Sequence, residues 1–122
     1  MKHRFRLTRL ADFMRVRRTG KTYAHPFVLL YATESEETLT RVGISAGRAV
    51  GGAVQRNRAK RLLREATRTL LPMIAPRKDL VLIARTPLAS ANLIQTVDAL
   101  KDLLQRARLL EQENDSTSVS TK

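Results

Sequence analysis

The sequence predicts an α+β fold, a small α/β sandwich in which helices pack on a sheet of about four strands. Apolar runs at 27–32, 41–46 and 79–84 have the length and pattern of strands. From about residue 53 to 71 the apolar period becomes helical, which is typical of an amphipathic helix. A chain of 122 residues suits one hydrophobic core. We therefore expect a single domain over residues 1–112.

A short helix is predicted near the N-terminus, because Thr8 can cap its start and Gly20 can end it. Helical spacing gives this helix an apolar side, which consists of Leu10, Phe13 and either Met14 or Val16. That side is expected to pack on the sheet.

Two strands are predicted next, joined by a solvated acidic turn at 34–37. The first strand has two alternating faces, Val28, Leu30 and Ala32 on one and Phe27, Leu29 and Tyr31 on the other. In the second strand the alternating residues are Val42, Ile44 and Ala46. A glycine-rich connection over 47–52 follows and could include a further short strand.

The second half of the chain predicts a βαβ crossover and a last helix. Pro72 and Pro76 end the helix that begins near residue 53, and the run 79–84 suits a strand covered on both faces. The strands on either side of that helix are expected to be parallel. Ser90 or Asn92 can cap the last helix, whose apolar stripe is Leu93, Val97, Leu100, Leu104 and Ala107. The Ser- and Thr-rich segment 113–122 is predicted to be a disordered tail.

The charge is strongly positive and concentrated in two segments. The chain has 23 Lys and Arg against 11 Asp and Glu, a formal net charge of +12. Residues 1–21 carry a net +7 and residues 41–85 a net +9, whereas the other segments are net negative. This distribution predicts one-sided binding of a polyanion, with nucleic acid ahead of an anionic membrane.

Several classes of protein are excluded or disfavoured by composition. The chain has no cysteine, which excludes disulfides, cysteine-ligated zinc and a thiol nucleophile. No apolar run approaches the roughly 20 residues that span a bilayer. The basic N-terminus lacks the apolar segment of a signal peptide. We therefore expect a cytoplasmic protein without a membrane partner.

The helix predicted over 53–71 has a cationic side and an apolar side. At about 100° per residue, the cationic side collects Arg56, Asn57, Lys60, Arg61, Arg64 and Arg68. The opposite side collects Ala59, Leu62, Leu63, Ala66 and Leu70. Like charges four residues apart cost about 0.2–0.5 kcal/mol per pair, and only Glu65 can relieve Arg61 and Arg68. A solvated face normally mixes charges, so this one is expected to bind nucleic acid, and arginine suits bidentate phosphate contacts.

An extended motif begins at this helix. It comprises Arg56-Asn57-Arg58 followed by Ala59-Lys60-Arg61-Leu62-Leu63-Arg64-Glu65, after a lead-in of Val42-Gly43-Ile44-Ser45 and Val50-Gly51-Gly52-Ala53-Val54. The segments around it keep a matching order, Asp12-Phe13, Gly20-Lys21 and Phe27-Val28-Leu29 upstream and 79–85 downstream. Over about residues 4–108 the sequence resembles the bacterial ribonuclease P protein family.

The resemblance implies a βαβ crossover of the uncommon left hand. It also implies that the chain is the protein subunit of ribonuclease P, an endoribonuclease whose large RNA subunit and bound Mg²⁺ carry the chemistry. The holoenzyme removes the 5′ leader of precursor tRNA by hydrolysis. Its partners would be the catalytic RNA and precursor tRNA, with no obligate protein partner. No catalytic residue or metal site is expected in the protein.

The resemblance further implies two binding regions. The RNA-binding residues would be Arg48, Arg56, Asn57, Arg58, Lys60, Arg61, Arg64 and Arg68. A cleft for the single-stranded leader would be lined by Phe13, Arg17, Phe27 and Tyr31, with core packing as the alternative for the two phenylalanines. This chain has Arg48-Ala49 where many relatives have paired lysines, and Arg17 where relatives often have a second aromatic residue.

Two other functions fit the charge. One is a ribosomal protein of similar size. The other is a helix-turn-helix DNA regulator that uses 53–71 as its recognition helix. The segments before that helix are predicted to be strands, which argues against the DNA regulator.

Overall fold

The computed structural model describes residues 3–111, and in this range the chain forms three α-helices and one four-stranded sheet. The elements are α1 (Leu10–Thr19), β1 (Lys21–Ala24), β2 (Val28–Glu34), β3 (Arg41–Ser45), α2 (Ala53–Leu70), β4 (Lys78–Ala84) and α3 (Leu93–Arg106). Short 3₁₀ turns cover His3–Phe5, Arg48–Val50, Leu71–Met73 and Thr86–Ser90. The α+β class and the order of the helices are confirmed. The predicted tail at 113–122 lies outside the described residues.

The sheet has the strand order β1-β2-β4-β3. The pairs β1–β2 and β2–β4 are antiparallel, and β3 pairs in parallel with β4, with Val42 opposite Leu80. The parallel crossover through α2 is therefore confirmed, while its left hand stays a prediction. The fourth strand is β1, which the sequence analysis did not identify. The glycine-rich segment forms a 3₁₀ turn instead, because the N–H of Val50 donates to Gly47 O at 3.1 Å.

Helices cover both faces of the sheet. On one face α2 and α3 enclose the main core, which includes Val28, Leu30, Val42, Leu80, Leu82, Ala59, Leu63, Leu70, Leu100, Leu103 and Leu104. On the other face α1 covers a smaller cluster of Leu7, Val16 and Val81, flanked by Phe13, Tyr31 and Ile83. The predicted burial of β4 on both faces is confirmed.

The start and the apolar side of α1 differ from the prediction. The helix begins at Leu10, Arg9 occupies the N-cap position, and no side chain caps it, so the prediction that Thr8 is the cap was wrong. Leu10 is 74% exposed and Met14 54%, whereas Val16 is fully buried. The side of α1 that faces the sheet therefore carries Val16 and Phe13, and Leu10 and Met14 lie off it.

Gly20 ends α1 as predicted, but for a different reason. Its φ of −82° is one that any residue can adopt, so the left-handed conformation of many helix ends is absent here. A Cβ at this position would lie 2.6 Å from Val16 O and 2.8 Å from Ala32 O. The glycine is therefore required by the close approach of two backbone segments.

The last helix is capped by Asn92 and not by Ser90. Asn92 and Gln95 form a capping box, in which each side chain accepts a hydrogen bond from the other residue's backbone N–H. Leu100 and Leu104 are buried as predicted, while Leu93 is 41% exposed. Beyond this helix the chain returns to the end of α2, where Ala75 N donates to Leu109 O at 2.7 Å.

Candidate nucleic-acid interface

The outer face of α2 carries the cations that the sequence predicted. Gly51 has a φ of 140°, which favours glycine, and it turns the chain into the helix at Gly52. The apolar side, Ala59, Leu63, Ala66 and Leu70, is buried in the main core. Burial of that side leaves Arg56, Asn57, Lys60, Arg61, Arg64 and Arg68 half-buried or exposed. The predicted partition of this helix into two sides is confirmed.

Most of these cations have no partner in the protein. Within residues 3–111, no hydrogen bond or ion pair involves the side chains of Arg56, Lys60, Arg61 or Arg64. Arg68 donates to Glu65 at 2.7 Å, as the spacing predicted, and this hydrogen bond lowers the pKa of the Glu65 carboxyl. We call Arg56, Lys60, Arg61 and Arg64 the cationic face.

Arg58 does not belong to the cationic face. Its Nε donates to Ala89 O at 2.9 Å and its Nη2 to Ala91 O at 2.7 Å. The guanidinium thus fastens α2 to the segment that leads into α3. The helical wheel had left Arg58 off the cationic side, and only the family resemblance placed it among the RNA-binding residues. These contacts give Arg58 a structural role, while its predicted contact with RNA stays a prediction.

Arg48 lies in the turn that precedes α2, with an exposed side chain. The turn is held from the other side of the crossover, because Thr86 Oγ1 donates to the carbonyl oxygen of Ala49 at 3.0 Å. Arg48 is therefore presented on an anchored loop, while its predicted contact with RNA stays a prediction.

A cleft separates α1 and the N-terminal segment from α2. It has a volume of about 350 Å³ and is lined by Arg6, Leu7, Thr8, Phe13, Val42, Ile44 and Arg64. The ring of Phe13 lies directly against Gly43, where an added Cβ would be 2.5 Å from Phe13 Cε1. Leu7 N donates to Val42 O at 2.9 Å and so holds the N-terminal segment beside β3. Arg64 belongs to both regions, so the cleft is continuous with the cationic face.

A second depression lies further along α1. It is lined by Met14, Arg17, Arg18 and Tyr31. The guanidinium carbon of Arg17 lies 5.5 Å from the centre of the Tyr31 ring, which is the geometry of a cation–π contact. Arg17 therefore stacks on an aromatic residue of the protein itself, and both side chains line the surface.

Phe27 lies apart from Phe13 and Tyr31. It packs against the main core on the other side of the sheet, with its ring centre 5.3 Å from that of His25. The alternation predicted for β2 begins one residue too early, because Phe27 lies in the turn before the strand. There its N–H donates to His25 Nδ1 at 3.0 Å. The alternative of core packing is what the structure shows for this residue, while its role in leader binding stays a prediction.

A buried ion network joins the middle of α1 to the starts of β3 and β4. Asp79 is 1% exposed and accepts hydrogen bonds from Arg15 Nη2 at 2.6 Å, Arg41 Nε at 3.1 Å and Arg41 Nη2 at 3.0 Å. Burial alone would raise the pKa of the Asp79 carboxyl, but the hydrogen bonds from Arg41 and Arg15 outweigh it and hold the pKa below its ordinary value. The carboxylate therefore stays ionised inside the fold.

The described range lacks the features of two other kinds of site. Residues 3–111 contain no group of three or more His, Cys, Asp or Glu side chains that could hold a metal ion. In the same range, no helix is both long and apolar enough to cross a bilayer.

Comparison with known proteins decides the family. A family model described as Ribonuclease P matches residues 1–108. The chain belongs to the ribonuclease P protein family. The ribonuclease P protein component of Chloroflexus aurantiacus is 40% identical over 118 residues, which cover 96% of this chain and 87% of the relative. That of an Exiguobacterium species is 36% identical, covering 93% of this chain and 98% of the relative.

Solved structures of ribonuclease P proteins share the fold. The protein from Staphylococcus aureus superposes with a TM-score of 0.79 at 30% identity, covering 88% of this chain and 98% of that one. The protein from Thermotoga maritima, solved with 1-(4-fluorophenyl)-2-thiourea, gives 0.75 at 28% identity, covering 83% and 98%. The ribonuclease P protein is a subunit of the ribonucleoprotein endoribonuclease that processes tRNA 5′ ends, and its partner is the ribonuclease P RNA. The ribosomal and DNA-regulator alternatives are therefore wrong.

Several features of this ribonuclease P protein were missed from its sequence. Arg6, Thr8 and Ile44 line the cleft, but none of them follows a pattern that marks a binding site. Asp79 offered a weak signal, as an acid at the start of an otherwise apolar strand. Its partners Arg15 and Arg41 lie 64 and 38 residues away, and no local pattern connects them.

Proposed function

We propose that the ribonuclease P RNA binds across the cationic face of α2 and that the single-stranded leader of precursor tRNA lies in the adjoining cleft. One observation carries this proposal: Arg64 belongs to the cationic face and also lines the cleft that contains Phe13. A leader that runs along the cleft would therefore reach the bound RNA without crossing an uncharged surface.

Elementary electrostatics supports the first half of the proposal. Four neighbouring cations that lack protein partners within residues 3–111 repel one another, and RNA phosphates would relieve that repulsion. Each phosphate contact also releases a condensed counterion, which favours binding at low salt. Arginine adds bidentate hydrogen bonds to phosphate oxygens.

The chemistry of the cleft supports the second half. Single-stranded RNA exposes base faces that stack on aromatic rings and guanidinium planes. Phe13 and the Arg17–Tyr31 pair present such surfaces on one side of α1. The cations Arg6 and Arg64 lie at the same cleft as Phe13 and can accompany the phosphates.

We assign the Mg²⁺ ions of the reaction mainly to the RNA subunit. The part of the chain between residues 3 and 111 offers no cluster of carboxylates or imidazoles for a metal ion. When bound to RNA, Mg²⁺ would activate water and stabilise developing charge. The protein contributes affinity and orientation for the leader. A cytoplasmic location, where precursor tRNA is made, is part of this proposal.

A cleavage assay tests the proposal. Purified protein is mixed with the ribonuclease P RNA at low Mg²⁺, together with precursor tRNA that carries either a full leader or a single leader nucleotide. We expect the protein to accelerate cleavage and to lower KM for the full-leader substrate more than for the short one. Cleavage no faster than with RNA alone would contradict the proposal.

The salt dependence of RNA binding gives a second test. If the four residues of the cationic face each neutralise one phosphate, log K should fall with log salt at a slope of roughly −2.8 to −3.6. A slope near zero would show that the face is merely solvated. Lys101→Ala serves as the matched control. Lys101 is an exposed lysine of α3 and does not belong to the cationic face, so its loss should leave the slope unchanged.

A further inference from the structure

One side chain links α1 to the sheet by hydrogen bonding. Arg15 donates to Asp79 at 2.6 Å, and within residues 3–111 no other side chain of α1 makes a hydrogen bond or ion pair with a strand. The remaining attachment of α1 is through Val16 in the smaller cluster, Phe13 on Gly43 and the cation–π contact of Arg17 with Tyr31 on β2. Apolar contacts set the distance of a helix from a sheet but constrain its rotation weakly, since they are non-directional.

The position of Arg15 on the helix gives this link a geometric consequence. Phe13 and Arg17 are four residues apart and lie on one side of α1. Arg15 is two residues from each and so points about 160° away from both. The buried Val16 lies between these two directions. The ion pair and the cleft side chains therefore hold α1 from opposite sides, and the pair resists rotation of the helix about its axis.

The surroundings of Arg15 are unsuited to RNA. The depression beside it is lined by Glu34, Glu36 and Glu37 in addition to Arg41 and Asp79. Glu34 is paired with Lys78, and the carboxylates of Glu36 and Glu37 would repel a phosphate backbone. Arg15 is thus committed to the protein, unlike the cationic face.

We infer that Arg15 is a positioning residue for leader binding, which acts by fixing the rotation of α1 so that Phe13 and Arg17 face the cleft. This inference rests on the proposed function of the cleft. It assigns Arg15 no contact with the leader.

The network supplies its own matched control. Arg15→Ala and Arg41→Ala each remove one guanidinium from Asp79 and leave the other, so neither variant orphans the buried carboxylate. Arg41 joins β3 to β4, which already pair through their backbones, with Arg41 opposite Asp79. Loss of Arg41 should therefore weaken the network without releasing α1.

The experiment measures the affinity of the reconstituted holoenzyme for precursor tRNA with a full leader and with a single leader nucleotide. We expect Arg15→Ala to weaken binding of the full-leader substrate about tenfold, equivalent to about 1.4 kcal/mol, and to leave the short-leader substrate unchanged. Arg41→Ala should change the full-leader affinity less than about twofold, or 0.4 kcal/mol. Arg15→Lys, which keeps a charge and one bond to Asp79, should lie between wild type and Arg15→Ala.

The other possible results contradict either the positioning role of Arg15 or the proposed function of the cleft. Equal losses of full-leader affinity in Arg15→Ala and Arg41→Ala would show that Arg15 acts only through the general stability of the fold. A salt slope for leader binding that falls by about 0.7 in Arg15→Ala would show direct phosphate contact instead of positioning. If wild type prefers the full leader and Arg15→Ala keeps that preference, the inference alone fails. If wild type shows no preference, the proposed function of the cleft fails with it.

Discussion

Arg56 and Arg58 lie two residues apart at the start of α2 and are used in opposite ways. Arg58 donates two hydrogen bonds to the carbonyls of Ala89 and Ala91, while Arg56 has no side-chain partner within residues 3–111. Two residues correspond to a rotation of about 200° around the helix, which carries Arg58 to the boundary of the apolar side. Position on the helix, and not residue type, decides whether a guanidinium bonds to the fold or is left without a partner among residues 3–111.

The same division holds for other arginines within residues 3–111. Arg15 and Arg41 are held by Asp79, and Arg106 donates to Ala24 O and to Asp102. These internal arginines join elements that are distant in sequence. The net charge of +12 therefore includes cations that the fold itself employs, and the cationic face is a smaller set than composition suggests.

The largest loss of stability is expected when the carboxylate of Asp79, which holds Arg15 and Arg41, is removed. Asp79→Asn leaves two guanidiniums beside a neutral buried amide, and we expect a loss of about 3–5 kcal/mol in the free energy of unfolding. Urea denaturation monitored by circular dichroism measures this loss. A change below about 0.5 kcal/mol, within the range of ordinary surface substitutions, would show that the network is dispensable.

The pH dependence of the stability difference between wild type and Asp79→Asn gives a sharper test. Because the folded-state pKa of Asp79 is lowered, its contribution is fully present above the ordinary carboxyl pKa of 3.8 and is lost as the pH falls below it. The difference in unfolding free energy between wild type and Asp79→Asn should stay constant between pH 7 and about pH 5 and shrink below about pH 4. A difference that is independent of pH down to about pH 2 would contradict an ionised, paired Asp79.

The two neighbouring arginines should differ in stability by a smaller amount. Arg58→Ala loses two partly exposed hydrogen bonds, and we expect about 1–2 kcal/mol of destabilisation. Arg56→Ala should remain within about 0.5 kcal/mol of wild type. Arg58→Lys should not restore stability, since an ammonium cannot reproduce a planar two-carbonyl contact. Equal stability of the Arg56 and Arg58 alanine variants would end the distinction between them.

The smallest effects are expected in the salt dependence of RNA binding. Arg56→Ala and Arg64→Ala should each weaken binding of the ribonuclease P RNA and reduce the slope of log K against log salt by about 0.7–0.9. Their melting temperatures should stay close to that of wild type, because neither side chain bonds to the protein within residues 3–111. Arg58→Ala should leave the slope unchanged, and a reduction as large as that of Arg56→Ala would place Arg58 on the RNA.

Strong periodicity explains what the sequence could predict. The pattern of α2 separates buried from outward residues over 18 positions, so both its core side and its cationic side were predicted correctly. β1 has four residues, of which only Tyr23 is half-buried, and such an edge strand has no apolar alternation to detect. Phe27 was misplaced because alternation says nothing about where a strand begins. The partners of Arg58 lie 31 and 33 residues away and depend on tertiary packing.

Gly43 sets the depth of the cleft beside α1. Because Gly43 has no Cβ, the ring of Phe13 lies directly against the backbone of β3. A single methyl group there would push the ring outward and fill the space that a nucleobase would occupy. The floor of the cleft thus depends on the absence of a side chain at Gly43.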